Sequence, residues 1–404
     1  MQNNVTQYIN SHWDDCVREL QEDSGETIGL PYPYAIPAAG HFEELFYWDT
    51  YFLNKGLEIS KKHLLAKCNA DNMLYLIEKY GFMPNANKTY YIRDRISQPP
   101  FLSQMVRDVY EHFKDVVWLS GAYMILKKEY DFWMTERRSP NGLNFYSGKL
   151  TDEKITHLIA GMLAERIGYT PDISDDCAAL HYMCCWESGW DMSPRWGVEG
   201  YNYNPVDLNS IMYMFEKNME YLSLILSDGE EKEWHKRAEK RRELMNRYLT
   251  DENGIMLDYN YKTGKLSNVF SVASLYPLFV NMADENYAAL MANRVERLEC
   301  SYGLAACEKN DIYGTYQWSY PNGWACLQYI AVIGFKNYGF GEVASRLAAK
   351  YTSLVEKCFE ETGNLWEKYN VAEGNVNICQ EGSGEMPAMM GWSAGVYLAL
   401  KDLN

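Results

Sequence analysis

The chain has 404 residues, 47% of them hydrophobic and 23% charged, a globular composition that excludes intrinsic disorder. Thirty-eight Lys and Arg against 55 Asp and Glu give a formal net charge of −17, which excludes nucleic acid as a partner, because phosphate backbones are bound by clustered cations. No segment approaches the roughly 18 uninterrupted apolar residues of a membrane span, and Met1 to Leu20 has no basic start followed by an apolar run, so no membrane partner is expected and the chain reads as soluble.

Apolar residues spaced three and four apart predict helices over 9–21, 49–65, 67–80, 101–113, 117–136 and 151–166. The pattern is clearest over 206–226, where Leu208, Ile211, Met212, Phe215, Met219, Leu222 and Leu226 fall along one face. A helix over 232–249 follows, and its basic run from Lys236 to Arg242, broken by Glu239, reads as a solvated face. Between it and the next helix, Ile255, Leu257 and Tyr259 alternate with Met256, Asp258 and Asn260, which predicts one β-hairpin over Gly254 to Asn268. Helices over 273–283, 286–297, 322–336, 340–359 and 389–402 complete the chain, with Gly363 as a stop signal after the fourth of these.

With no linker and no break in composition, one all-α domain over 1–404 is the simplest organisation. About a dozen helices at roughly 34 residues per helix and connection fit a ring of helical hairpins. Ten cysteines without a C-x-x-C pair, two of them adjacent as Cys184 and Cys185, read as reduced thiols and point to the cytoplasm. Seven scattered histidines without H-E-x-x-H give no metal site, and no cofactor is expected.

Aromatic residues make up 15% of the chain, and many gather in four stretches with carboxylates and amides. The first runs from His41 to Tyr51 and is followed by Met83-Pro84-Asn85 and by Arg95 to Pro100. The second runs from Glu187 to Trp196, the third from Gln317 to Ala325, and the last joins Leu365 to Tyr369 with Glu381 to Glu385 and Gly391-Trp392. Flat aromatic faces suit sugar rings. Hydrolysis of a glycosidic bond needs two carboxyl groups, one protonated to assist departure and one ionised to activate water. A tryptophan such as Trp190 or Trp366 beside the acid could raise its pKa. Taken singly, each such carboxylate reads more readily as a helix cap or a surface salt bridge than as a catalytic group.

The four stretches, in this order from about residue 31 to 400, resemble those of the trehalase family of glycoside hydrolases. Phe42-x-Glu44-x-Phe46-x-Trp48-Asp49-x-Tyr51 is similar to the family's first signature, and Gln317-Trp318-x-x-Pro321-Asn322-Gly323-Trp324-Ala325 to its second. The resemblance implies an (α/α)6 toroid with its active site in loops at one mouth, and an inverting α-glucosidase acting on a small carbohydrate such as trehalose. It assigns the general acid to Asp191 and the general base to Glu367. It also implies that Phe42, Trp48, Asp49, Asn85, Gln98, Gln317 and Glu385 line a glucose subsite, with Arg95, Trp190 and Trp318 as further contacts. The chain departs from the pattern on the leaving-group side: the family's Arg-Pro-Glu-Ser stretch has no counterpart, and no Arg lies between Arg166 and Arg195. Ser319 stands for the Asp of the second signature and His41 for the Arg of the first; Arg95 reaches its Gln-Pro-Pro step through altered spacing, and Ser383 breaks a glycine run. Related glucosidases acting on glucosylglycerate, mannosylglycerate or glucosylated oligosaccharides share the toroid. A sugar epimerase would need paired histidines, and a non-catalytic sugar-binding protein would need the aromatic pocket alone.

Overall fold

The computed structural model describes residues 4–312, 316–378 and 386–403. Its helices are α1 (Asn4–His12), α2 (Tyr47–Ile59), α3 (His63–Tyr80), α4 (Thr89–Arg93), α5 (Leu102–Phe113), α6 (Val116–Glu136), α7 (Glu153–Ile167), α8 (Asp175–Ser188), α9 (Val206–Leu226), α10 (Glu231–Tyr248), α11 (Tyr276–Phe279), α12 (Glu285–Arg294), α13 (Ala325–Asn337), α14 (Gly341–Thr362) and α15 (Gly391–Asp402). Short antiparallel strands brace the loops: β1 (Val17–Arg18) with β2 (Tyr34–Ala35), then β3 (Tyr203–Asn204), β4 (Tyr259–Asn260) and β5 (Lys265–Leu266) in one sheet. Further along, β6 (Glu299–Cys300) pairs β7 (Gly303–Leu304), and β8 (Asn322–Trp324) pairs β9 (Lys368–Asn370).

Packing sorts the helices into two rings. In the inner one α2, α5, α9, α11, α13 and α15 follow one another, and α15 returns to α2. Composition explains why: α15 is buried continuously from Gly391 to Leu400, and a helix without a polar face must sit inside. The ring closes at two glycines. A Cβ on Gly395 would lie 2.1 Å from the Phe52 carbonyl oxygen, and one on Gly56 would lie 2.6 Å from the Gly395 Cα, so only glycine lets α2 and α15 meet backbone to backbone.

Outside lie α3, α6, α10, α12 and α14. On α14 the buried residues Ala344, Leu347, Ala348, Tyr351, Leu354, Val355 and Cys358 form a single stripe, the mark of a helix with one side in water. The sixth outer position is filled by α1, whose Tyr8 ring lies 4.9 Å from that of Phe359 on α14. The architecture is an (α/α)6 toroid. Among the described residues no helix is long and apolar enough to cross a membrane.

The helices α7 and α8 belong to neither ring. They pack on each other as a hairpin between α6 and α9 in the chain, with a separate apolar cluster that includes Ile159, Leu163, Ile167, Ala179, Tyr182 and Met183. Ala86, Tyr91 and Ile96, from the connection between α3 and α5, join that cluster and dock the hairpin.

Three expectations change in detail. The helix predicted over 9–21 stops at His12, because Trp13–Cys16 tightens into a 3-10 turn and Val17 and Arg18 pair with Ala35 and Tyr34. The helix over 273–283 becomes a 3-10 turn, Val272–Leu275, followed by the single turn α11, in which Pro277 supplies no N–H. The hairpin within 254–268 is present as β4 and β5, and β4 also pairs with β3. Helix α8 carries no amphipathic signal, since buried residues from Ala178 to Cys185 surround its axis.

Candidate active site

The N-terminal ends of the inner helices α2, α13 and α15, the turn after α8 and the approach to β9 enclose a cavity of about 400 Å³. Its lining brings together Phe42, Trp48, Asp49, Asn85, Gln98, Asp191, Gln317, Trp318 and Glu367 from all four stretches.

Trp48 and Asp49 stand in the first turn of α2, after Phe46 in extended conformation. The Trp48 N–H, unpaired within the helix, donates to Gln98 Oε1 at 3.1 Å, which fixes that amide at the wall. Asn85 is held more firmly: its side chain donates to the carbonyls of Ser97 at 3.1 Å and Trp186 at 2.9 Å, and its carbonyl accepts from the Tyr47 N–H at 2.9 Å. Asp49 is 7% exposed. Burial first, and then the charge of Glu367, push its carboxyl well above the usual range, against the opposing pull of its own backbone N–H.

Asp191 follows α8 through Gly189, whose φ is +70° and whose Cβ, if present, would sit 2.5 Å from the Trp48 indole. Glycine is required there for both the left-handed backbone and the close approach. The next residue, Trp190, lies beneath the cavity rather than in its lining, between the Trp318 ring, 5.4 Å away, and the Arg195 guanidinium, 4.3 Å above its face. Arg195 is anchored in turn by Asp258 at 2.8 and 2.9 Å and by Asp207 at 2.6 Å. The Met192 carbonyl accepts from the Trp318 N–H at 2.9 Å, tying the turn to the third stretch. The Asp191 side chain keeps 35% of its surface open. Loss of water on its other sides pushes its pKa up to about 6, opposed by Arg166 and reinforced by the negative charge of Glu367, with Lys368 also opposing.

Glu367 precedes β9, whose register sets Trp324 opposite Lys368 and Gly323 opposite Tyr369. Lys368 is fully buried; its ammonium donates to Glu367 Oε2 at 2.6 Å and to Gln317 Oε1 at 2.9 Å, and lies 4.7 Å from the centre of the Trp324 ring. The Glu367 carbonyl accepts from the Trp392 indole at 2.9 Å. One wall therefore carries a carboxyl group paired with a fixed cation, and the turn after α8 carries a carboxyl that binds its proton more tightly than usual. That pairing can deliver a proton to a leaving group and accept one from water.

Tryptophans make the rest of the wall. Trp318 stacks on Trp324 with centroids 3.7 Å apart and planes within 4°, and Trp48 and Trp392 meet this pair at 5.6 and 5.7 Å. Arg95 is placed elsewhere: it pairs with Glu136 at 2.6 Å and covers the Phe82 ring at 4.5 Å, outside the cavity lining. Glu381 to Glu385 lie outside the described residues, Glu385 among them. Glu187, read in the second stretch with Asp191, is a structural hub, bound by Arg137 at 2.7 and 3.0 Å and by the Ser97 and Ser147 N–H groups at 2.9 and 2.7 Å. Lys88, Tyr90, Tyr91 and Met389 also line the cavity. No motif singled them out, because each reaches the wall through loop packing rather than through a patterned stretch.

The trehalase family model matches residues 1–404. Among solved structures, neutral trehalase Nth1 from Saccharomyces cerevisiae is 27% identical, with a TM-score of 0.77 over 99% of this chain and 80% of that one. A GH63 mannosylglycerate hydrolase from Thermus thermophilus, in complex with glucose, shares the fold at 17% identity and a TM-score of 0.66, over 98% of this chain and 99% of that one. A GH78 family rhamnosidase from a Bacillus species aligns over 89% of this chain and 32% of that one, with 12% identity and a TM-score of 0.57. With a match along its whole length and paired carboxylates at the mouth of the toroid, the chain belongs to the trehalase family and is an α-glucoside-cleaving glycoside hydrolase.

Proposed function

We propose that the chain is a single catalytic domain that hydrolyses trehalose or a related short α-glucoside with inversion, Asp191 acting as general acid and Glu367 as general base. The observation that carries this reading is the asymmetry between the two carboxyl groups: Glu367 rests on buried Lys368 at 2.6 Å, while the Asp191 pKa stands at about 6. A carboxyl whose pKa is raised, set in one cavity with a second carboxyl that rests on a fixed ammonium, suits the acid and the base of a glycosidase.

The glucosyl unit lies against Trp48, Trp318 and Trp324, with Asp49, Asn85, Gln98 and Gln317 at its hydroxyls. Asp191 gives its proton to the glycosidic oxygen as the bond from that oxygen to the anomeric carbon breaks. Glu367 takes a proton from a water molecule whose oxygen bonds the same carbon from the opposite face, so the released glucose is β. Phe42, which the resemblance sets in the glucose subsite, lines the cavity, as do His41, Tyr90, Tyr91 and Trp186. The cysteines of the described residues are free thiols, in keeping with a cytoplasmic enzyme.

Asp191→Asn and Glu367→Gln test the assignment. Each is expected to lower kcat by about a hundredfold or more, as loss of a general acid or base does, with the thermal unfolding midpoint nearly unchanged. Wild-type turnover in either variant would remove that residue from its role.

A further inference from the structure

Away from the catalytic mouth, a second cavity of about 400 Å³ lies between the end of α6 and α10. Spacing alone gives the basic run from Lys236 to Arg242 as a solvated helix face, and the structure divides that run in two. Glu239 and Arg242 pair with each other outside the groove, whereas Lys236, Arg237, Lys240 and Arg241 share the face of α10 that lines it. Arg138, two residues beyond α6, lines it from the other side.

Helix formation does not favour this arrangement. Like charges four residues apart destabilise a helix, and this face of α10 carries two such pairs, Lys236 with Lys240 and Arg237 with Arg241. Carboxylates offset only part of the charge. Buried Glu216 takes the Arg241 guanidinium at 2.8 and 3.0 Å, and Glu233 takes Arg237 at 3.0 Å. With Asp131 they are the acidic residues of the lining, three against five cations. Glu243 meets Lys240 at 3.1 Å, but both are exposed, and such a pair holds weakly. The chain as a whole has a net charge of −17, so this positive excess is local.

The floor of the groove is fixed. Arg241 is 4% exposed, and it also donates to Asn144 Oδ1 at 2.7 Å and to Asn209 Oδ1 at 3.1 Å. Arg237 lies over the Trp234 and Tyr130 rings, 4.6 and 5.4 Å from their centres. Tyr130, Met134 and Leu244 supply apolar surface beside the cations. The volume is that of a small-molecule site. A phosphate monoester places close to two negative charges and three acceptor oxygens at one end of an organic body, which suits guanidinium and ammonium groups set beside an apolar wall. A long polyanion would instead meet the net negative charge of the chain beyond the groove.

We propose that this groove is a binding site for a small organic phosphate, its phosphoryl group held by Arg138, Lys236 and Lys240 and its body against Tyr130, Met134 and Leu244. The site shares no lining residue with the cavity that cleaves the glucoside.

Titration calorimetry at low ionic strength, with phenyl phosphate, inorganic phosphate and phenol as probes, tests it. Wild type should bind phenyl phosphate with a Kd of about 1 mM or below, at least about threefold tighter than inorganic phosphate, and should give no saturable heat with phenol. Lys236→Gln combined with Arg138→Gln, both at exposed positions, should weaken phenyl phosphate by about tenfold or more, with glucoside hydrolysis and the thermal midpoint as in wild type. Lys232→Gln combined with Arg242→Gln removes the same charge from outside the groove and should change that Kd by less than about twofold. Absence of binding to wild type at about 10 mM phenyl phosphate, equal losses in the two double variants, or phenol bound as tightly as phenyl phosphate would overturn the proposal.

Discussion

On the wall formed by α2, β8, β9 and the loops beside them, side-chain amides and the proposed base are fixed by groups behind them. Gln98 is held by the Trp48 N–H, Asn85 by two carbonyls, and Glu367 and Gln317 by one buried ammonium. The opposite wall is assembled differently, from a helical hairpin with its own apolar cluster and an arginine 3.8 Å from its carboxylate partner. The first wall belongs to the closed inner ring, where α2 and α15 meet at Gly56 and Gly395. The second is an insertion between α6 and α9 that docks on loops. On the proposed assignment, a site built this way would hold the sugar it cleaves in a set geometry and let the unit it releases vary by changes confined to one hairpin.

The largest expected difference between the walls lies in their supporting residues. Lys368→Met removes a buried cation from Glu367 and Gln317 together, so kcat should fall by about tenfold or more, with stability lower by roughly 1–3 kcal/mol for the polar groups left unpaired. Tyr182→Phe removes a hydroxyl that accepts from Arg166 at 3.3 Å on the hairpin and should change kcat less than about threefold. Steady-state kinetics and urea unfolding of the two variants would break the comparison if their costs came out equal.

A smaller effect, on pH dependence, sharpens it. As the proposed general acid Asp191 would work protonated, and a group needed in its protonated form loses activity as pH rises through its pKa. Burial, aided by the charge of Glu367, brings that pKa to about 6. The kcat/KM profile of the wild type should therefore decline above about pH 6, and Asp191→Asn should show no such limb. A decline centred near the ordinary carboxyl range, around pH 4, would mean that the turn after α8 does not shield its acid.

How much of this was legible in the sequence differs between the same two walls. The residues of the rigid wall announce themselves, because Trp48-Asp49, Gln317-Trp318 and Glu367-Lys368 sit in aromatic stretches whose order resembles a family pattern. The hairpin wall was half hidden. Helix α7 has a readable period, but α8 is enclosed by the α7 packing, the docking loops and the turn at Gly200, and a helix buried all round shows no stripe. Arg166 could be named only as the last arginine before a gap, since nothing local says that the end of α7 reaches Asp191.

Trp190 and Arg95 show the limit from the other direction. Both flank motif residues, yet alternation of direction along the backbone puts Trp190 under Asp191, and a left-handed φ of 49° at Arg95 accompanies a side chain that pairs with Glu136. Asp258 is a similar case. Strand alternation sets it on the polar side of a hairpin, and it is buried because Arg195, Trp196 and the Val206 N–H all bond its carboxylate. Such positions follow from three-dimensional pairing of charges, which sequence spacing does not encode.

The proposed division of labour between Asp191 and Glu367 across the sugar has one stereochemical consequence. Proton NMR, recorded within the first minutes of hydrolysis and before mutarotation, resolves the anomeric protons of the released glucose. If water held by Glu367 attacks opposite the leaving group, glucose cut from a non-glucose aglycone appears first as the β anomer, and trehalose yields α and β in equal amounts. Glucose that appears first as the α anomer alone, from either substrate, would contradict the assignment of Glu367 as a base acting through water.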